Sequence, residues 1–167
     1  MSNWNAYLLM TRKKKLKVGD VFRFGCPDVG WGYGQVVMSG TLQYVVIFEP
    51  IFQYDSPVED VIASTPLLAG WTMDGRYYSG AWEVVGSAEP THAVILPHYK
   101  VGMSGKTWVT DVLGKPLRLA SPAEERELRL RSSNSPILYE EAFRAHHKAQ
   151  LWESGFDALL SHSKPVH

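Results

Sequence analysis

The sequence has a single cysteine, no long apolar run and no excess of either charge. The lone Cys26 excludes a disulfide within the chain. No apolar stretch reaches the roughly 18 residues that a membrane-spanning helix requires. Near the N-terminus the basic residues follow the short apolar stretch YLLM, whereas a secretory signal has the reverse order. We therefore expect a soluble, cytoplasmic protein.

The formal net charge is zero, because Lys plus Arg and Asp plus Glu each number 17. This balance argues against partners such as duplex nucleic acid or an anionic membrane, because proteins that bind these polyanions usually carry an excess of basic residues. The charges are nevertheless segregated along the chain. Residues 12–17 read RKKKLK, whereas no Lys or Arg occurs between Arg23 and Arg76. The gap contains only acidic residues: Asp28, Glu49, Asp55, Glu59, Asp60 and Asp74.

A nucleotide-binding loop is also absent, although residues 30–37, GWGYGQVV, are rich in glycine. The dinucleotide fingerprint GxGxxG would need its third glycine where this segment has Gln35 or Val37. Two valines and another turn follow, so no helix N-terminus is available to hold a phosphate. Glycines in such a segment indicate a bend, a bulge or a close approach of the backbone within a strand.

The sequence does contain many short apolar segments, rich in β-branched and aromatic residues and separated by Gly, Pro, Asp or Ser-Gly. This spacing predicts strands, and the first three should form an antiparallel meander with a hairpin turn at Ser39-Gly40. In the segment 75–90, Tyr77 and Tyr78 are strand-forming residues. The predicted strands cover 21–24, 33–38, 43–48, parts of 75–90, 93–96 and 106–112.

The pattern changes at Ser121, which precedes Pro122 and lies three residues before Glu124, as in a helix-starting capping box. A second helix should begin at Ser135-Pro136, because apolar residues then recur at helical intervals and should pack on the sheet. These residues are Leu138, Ala142, Ala145, Ala149, Trp152, Phe156 and Leu159.

The length of 167 residues indicates one domain. We predict a mainly β fold, with a curved antiparallel sheet or partly open barrel over residues 15–120. One or two helices over 121–160 should pack on it, which makes the C-terminal part α+β. Residues 1–14 and 161–167 are expected to be flexible ends.

Cysteine and histidine give little sign of catalysis or metal binding. Cys26 has only Arg23 as a cationic neighbour in sequence, so we interpret it as a structural thiol. His146 and His147 are adjacent and would point in different directions on a helix, which predicts surface positions. His92 and His98 lack the spacing and neighbours of metal ligands. We predict no catalytic residue, no cofactor and no metal, and therefore no enzyme.

Several sequence pieces together resemble a known family. They are KLKVGDVFRF, a glycine-rich turn into YGQVV, a hydrophobic strand, GAWEVVG and RSSNSPILYEEAF. Their order and spacing from Lys15 to about His147 are similar to the immunity protein 26 family of bacterial polymorphic toxin systems. The resemblance implies a mostly β, non-enzymatic protein that neutralises a toxin made by the same cell or its kin. It implies no catalytic residues, and it does not extend to residues 1–14 or beyond His147.

The acidic gap indicates how such a protein could bind its partner. A toxin that attacks nucleic acid has a basic cleft, in which carboxylates can take the place of phosphates. We therefore predict a toxin-facing surface formed by residues 49–60 and their neighbours in the sheet. Its acids would be Glu49, Asp55, Glu59 and Asp60, and its aromatic anchors Phe52, Tyr54, Trp71 and Tyr77.

Two alternatives remain open from the sequence. The acids could simply be solvated while the aromatic residues lie in the core, because alternate residues of a strand commonly divide in this way. In a different class of function, a small β-barrel could bind nucleic acid through RKKKLK, with Trp31 and Tyr33 stacking on bases. The adjoining acidic gap disfavours this nucleic-acid interpretation because it would repel phosphate.

Overall fold

The structure, a computed structural model, describes residues 15–91 and 94–161, and the mainly β architecture predicted from the sequence is confirmed. Two sheets are present in these ranges, and the larger is not closed into a barrel. The strands are β1 (Asp20–Cys26), β2 (Gly30–Ser39), β3 (Gln43–Phe48), β4 (Pro66–Thr72), β5 (Glu83–Ser87), β6 (Tyr99–Met103), β7 (Lys106–Thr110), β8 (Pro116–Leu119) and β9 (Ser133–Asn134). The helices are α1 (Val58–Ile62), α2 (Gly75–Tyr78), α3 (Pro122–Glu127) and α4 (Pro136–His146), with a 3-10 helix at Ser154–Leu159.

The larger sheet has six strands in the order β5-β1-β2-β3-β4-β9. Strands β1 to β3 form the predicted antiparallel meander, and the β2–β3 hairpin closes where Ser39 faces Gln43. Strand β4 was not predicted, since it begins with Pro66 and contains Gly70, both poor strand formers. Its glycine is required by packing, because a Cβ on Gly70 would lie 2.5 Å from the Tyr139 hydroxyl of α4.

The glycines of GWGYGQVV have a packing role. They lie in β2, opposite the phenylalanines of β1, with Phe22 facing Gly34 and Phe24 facing Gly32. A Cβ on Gly34 would lie 2.5 Å from the Phe22 ring, and one on Gly32 would collide with the Phe24 ring. The predicted close approach inside a strand is therefore confirmed, and the approaching group is an aromatic ring.

Both faces of the six-stranded sheet are covered. On one face Phe22 stacks on Trp82 with ring centroids 4.3 Å apart, and Phe24 meets Phe143 of α4 edge-on. On the other face Val61 of α1 is buried in a cluster with residues of β1 to β3. Because helices and loops cover both faces, all six residues of β3 are buried.

An ion cluster fastens α4 to the rest of the fold. Glu140 is 2% exposed and accepts two hydrogen bonds from Arg76, at 2.7 and 2.8 Å, and one from the Trp82 indole at 2.8 Å. These bonds raise the pKa of the Arg76 guanidinium above its ordinary value, with the hydrogen bonds to Glu140 as the main cause. The cluster therefore connects α2, the start of β5 and α4.

The smaller sheet has three antiparallel strands in the order β6-β7-β8. Helix α3 lies beside it and has the predicted capping box, with Ser121 as N-cap. An ion pair between Arg118 and Glu124 joins strand and helix. This pair is the largest cause that lowers the pKa of Glu124 to about 2.

Three predicted elements differ in the structure. Residues 75–78, predicted as strand, form the short helix α2, and the chain then turns so that the Trp82 amide donates to the Arg76 carbonyl. Residues 94–96 form no strand, while 92–93 lie outside the described residues. Strand β6 begins at Tyr99 instead.

Helix α4 begins at Pro136 as predicted but ends at His146, well before Leu159. The reason is Lys148, whose φ of 62° is left-handed and reverses the chain as in a helix C-terminal turn. Ala149 is consequently exposed, whereas Phe156 and Leu159 are buried from the separate 3-10 helix. Among the described residues, no helix is long and apolar enough to cross a membrane.

Candidate partner-binding surface

The eight residues predicted for the partner-binding surface do not all lie together. Four are exposed and close in sequence: Tyr54, Asp55, Glu59 and Asp60. Phe52 and Glu49 are partly buried beside them. Trp71 and Tyr77 lie elsewhere, on β4 and α2.

The loop before α1 is held to the sheet at several points. Phe52 forms two backbone hydrogen bonds with Trp31, of 2.8 and 3.0 Å, and its ring packs edge-on against Tyr33. The side-chain amide of Gln53 donates to the Val29 carbonyl at 2.8 Å, and the backbone amide of Ser56 donates to the Tyr33 hydroxyl at 3.4 Å. These contacts fix both sides of Tyr54, which is itself 83% exposed.

Arg23 joins the loop to two strands. Its guanidinium binds Asp55 and Glu83, the latter at 2.8 Å, and lies 4.6 Å from the centre of the Trp31 ring. The absence of Lys and Arg from residues 24–75 therefore does not leave Asp55 without a cation in the fold. Arg23 is 32 positions away in sequence, but alternation in VFRF places its side chain on the face opposite Phe22 and Phe24, towards the loop.

Glu49, another acid of the gap, also has partners from a distant part of the chain. Its carboxylate lies 3.3 Å from His146, and its backbone carbonyl lies 2.8 Å from the His147 ring nitrogen. Burial, as the main cause, lowers the pKa of His147 below its ordinary value. The prediction that both histidines are plain surface residues was wrong for His147, whose ring packs at 4.6 Å on Phe143.

Glu59 and Asp60 lie in the first turn of α1, a short helix that was not among the predicted elements. Acids in the first turn favour a helix because the peptide dipoles make that end positive. Both side chains are exposed, and neither forms an ion pair within residues 15–91 and 94–161. These two acids, with Asp55 and Tyr54, form what we call the loop surface, defined as residues 54–60.

Trp71 and Tyr77 do not belong to the loop surface. Trp71 is 4% exposed, donates to the Val112 carbonyl at 3.2 Å and is covered by Arg131. Tyr77 packs against the core beside α4. The alternative that these aromatics are core residues is therefore correct for Trp71 and largely so for Tyr77.

The sequence did not point to Glu83, which completes the site. Glu83 begins β5, faces Arg23 across the sheet and is 59% exposed. With Asp55 it borders an open cleft of about 400 Å³ beside β5. The cleft is lined by Arg23, Tyr33, Asp55, Ser56, Glu83, Val84 and Val85.

Cys26 is a buried thiol, as predicted. Its nearest cation is Arg144 of α4 and not Arg23, which the sequence suggested. Burial raises the pKa of Cys26 above its ordinary value, and the opposing effect of Arg144 is smaller. The protonated thiol is a poor nucleophile.

Metal-binding groups were sought across the described ranges. No group of three or more His, Cys, Asp or Glu side chains that could hold a metal ion occurs in 15–91 and 94–161. His98 is exposed at the rim of a second cleft of about 370 Å³, beside Trp71 and Tyr99. His92 lies outside the described residues.

Of the two stacking residues suggested for nucleic acid, only Trp31 is partly exposed. Tyr33 is 1% exposed, and Arg23 lies over the Trp31 ring. Of the basic run, Lys15 and Lys17 are exposed, and residues 12–14 lie outside the described part of the chain. Comparison with protein-family models, curated proteins and solved structures finds no match, so the resemblance to the immunity protein 26 family stays a prediction from the sequence.

Proposed function

We propose that the protein binds and neutralises a bacterial polymorphic toxin in the cytoplasm, without catalysis, by occluding the toxin's active site. The observation that carries this proposal is the loop surface, where an almost fully exposed Tyr54 is held beside three exposed acids. The sequence resemblance supports the same function.

Rigidity makes this loop suited to binding. The Phe52, Gln53, Asp55 and Ser56 contacts order the loop before any partner arrives. A preordered loop loses little conformational entropy on association, so more of the contact energy becomes affinity. An exposed tyrosine on such a loop is typical of the aromatic anchors that dominate protein interfaces.

The negative charge of the loop surface indicates which kind of toxin the protein would bind. The loop surface carries Asp55, Glu59 and Asp60, and within residues 15–91 and 94–161 only Asp55 has a cationic partner, Arg23. The remaining negative charge fits the basic cleft of a nuclease toxin, where carboxylates would occupy phosphate positions. Complementary charge accelerates encounter and makes it dependent on salt.

The function is tested by growth. The candidate toxin is the product of the gene immediately upstream, and its C-terminal domain is expressed in a sensitive host, with and without this protein. We expect growth only when the protein is present. Death of the host despite normal levels of folded protein would overturn the proposed function.

The loop surface is tested separately with that toxin domain, by stopped-flow kinetics for the association rate and titration calorimetry for the affinity. We expect the triple substitution Asp55→Ser, Glu59→Ser, Asp60→Ser to slow association and to weaken binding by a few kcal/mol in total, on the order of 2–4. Tyr54→Ala should weaken binding by about 2 kcal/mol.

The matched control removes three acids elsewhere: Glu127→Ser, Glu141→Ser and Glu153→Ser. These residues lie in the C-terminal third and form no ion pair within the described residues. The control should bind as the unmodified protein does. Full binding and full protection by the folded Asp55/Glu59/Asp60 variant would exclude the loop surface.

A further inference from the structure

The two edges of the six-stranded sheet differ in their cover. Along β4, β9 pairs with Trp71 and Thr72, Leu160 forms a bridge with Leu68, and the Ser161 amide donates to the Leu67 carbonyl at 2.8 Å. Most of the β4 edge is therefore bonded to other chain segments. The opposite edge is formed by β5.

Strand β5 has an open outer side. It pairs only with β1, and no other backbone segment of residues 15–91 and 94–161 bonds to Glu83–Ser87. Its residues alternate between exposed and half-buried, and Val85 is 37% exposed. An open edge presents amides and carbonyls that can pair with another extended chain.

The position of the β5 edge connects it to the loop surface. Glu83 and Asp55 share Arg23, so these three side chains carry one net negative charge. The cleft of about 400 Å³ lies between them and Val85. A strand added along β5 could therefore place a basic side chain at this cleft.

The features of the edge also distinguish possible occupants. The β1–β5 register shifts at a bulge between Val21 and Phe22, and bulges hinder edge-to-edge pairing of whole sheets. A second copy of this chain would in addition offer β5 its own strand EVVGS, which has no basic side chain for the cleft. A single basic segment meets neither obstacle.

We propose that β5 accepts an extended basic segment of the partner toxin as an added strand, with a Lys or Arg side chain entering the cleft beside Glu83 and Asp55. This inference rests on the proposed function and specifies its binding mode. Backbone hydrogen bonds along β5 supply affinity, and the cleft selects the basic side chain.

The first experiment needs no toxin. The probe is an acetylated, amidated hexapeptide of alternating lysine and valine, with a glutamate–valine peptide as its control. We expect the basic peptide to slow amide hydrogen exchange at Glu83–Ser87 and to bind at least about tenfold more tightly than the acidic one. Peptide binding that leaves exchange at Glu83–Ser87 unchanged, or equal binding of both peptides, would overturn the inference.

Two variants examine charge and backbone separately. Glu83→Lys should weaken binding of the basic peptide about tenfold, whereas the control Glu127→Lys should not. Ser87→Pro should weaken binding of the basic peptide similarly, because proline has no backbone N–H to donate to an added strand. The Ala88 amide donates to the Gly19 carbonyl on the β1 side, so the Ser87 amide, one residue earlier, points to the open side. If Ser87→Pro fails to fold, Glu83→Lys and the exchange data decide.

The second experiment separates this inference from the proposed function. Hydrogen exchange is measured on the complex with the toxin domain that the growth test uses. Protection at Glu83–Ser87 supports strand addition. Growth rescue without such protection overturns strand addition and leaves the proposed function intact, whereas absence of rescue overturns the proposed function itself.

Discussion

The two sheets bury their side chains to very different extents. Every residue of β3 in the six-stranded sheet is buried, whereas every residue of β8 in the three-stranded sheet is exposed. Helices and loops cover both faces of the larger sheet, but the smaller one leaves Leu117 and Leu119 about half exposed. Because buried apolar area is the main source of stability, the larger sheet should stabilise the fold and position the loop surface.

The largest effect should come from the core of the six-stranded sheet. Phe22 is fully buried and stacked on Trp82, so Phe22→Ala should lower the free energy of unfolding by about 3–5 kcal/mol. Leu119→Ala in the three-stranded sheet should cost less than about 1 kcal/mol, since Leu119 is 48% exposed. Urea unfolding measures both variants. Similar losses would contradict the comparison.

Two ion pairs should differ in their contribution to stability in the same direction. Arg76–Glu140 fastens α4 beside the larger sheet, and Arg118–Glu124 joins α3 to the smaller one. Glu140→Ala would leave Arg76 and the Trp82 indole without their acceptor, and should cost about 3 kcal/mol. The value is at the lower end of the range for buried pairs because Arg76 is about a third exposed.

The matched variant is Glu124→Ala, which removes the exposed pair with Arg118 and half of the capping box. Its loss should be clearly smaller, because solvent screens exposed pairs. Urea unfolding of both variants gives the ranking. A larger loss for Glu124→Ala would show that the three-stranded sheet and α3 carry more of the stability than their burial indicates.

Two glycines, one in each sheet, should also differ in their tolerance of a methyl group. Gly34→Ala would place a methyl group 2.5 Å from the Phe22 ring, and such overpacking should cost about 1–3 kcal/mol. Gly102→Ala in β6 meets no atom within 4 Å and should be neutral or slightly stabilising. Thermal unfolding distinguishes the two. Equal melting temperatures would mean that β2 shifts to accommodate the added methyl group.

The same contrast explains what the sequence could predict. Strands β1 to β3 have the β-branched and aromatic composition of a buried sheet, and all three were predicted. Strand β8 is exposed and β6 is only partly buried, so their sequences, PLRL and YKVGM, lack a strong apolar pattern. The local pattern is weak where burial is slight, since burial is what selects the pattern. The buried strand β4 was missed for another reason, because Pro66 and Gly70 are poor strand formers.

The loop surface was predicted only in part, for a different reason. The composition of residues 54–60 and their place between strands were enough to predict that their acids lie on the surface. Arg23 pairs with Asp55 and Glu83, which lie 32 and 60 positions away in the sequence. Glu49 pairs with His146 through the end of α4. No local sequence signal carries such contacts, because long-range pairing creates them.

The smallest effect should be on the dependence of stability on pH. Burial lowers the pKa of His147, so between that lowered value and its ordinary 6.5 the unfolded chain binds more protons than the folded one. The stability from neutral His147 is therefore complete above pH 6.5 and is lost as pH falls below it.

His147→Gln keeps a donor for the Glu49 carbonyl and should reduce the drop in melting temperature between pH 7.5 and 5.5, by less than about 3 °C. His98→Gln, at an exposed position beside the three-stranded sheet, should leave that drop unchanged. Differential scanning calorimetry at both pH values measures it, and an unchanged drop in the His147→Gln variant would show that His147 contributes nothing to the acid sensitivity of the larger sheet.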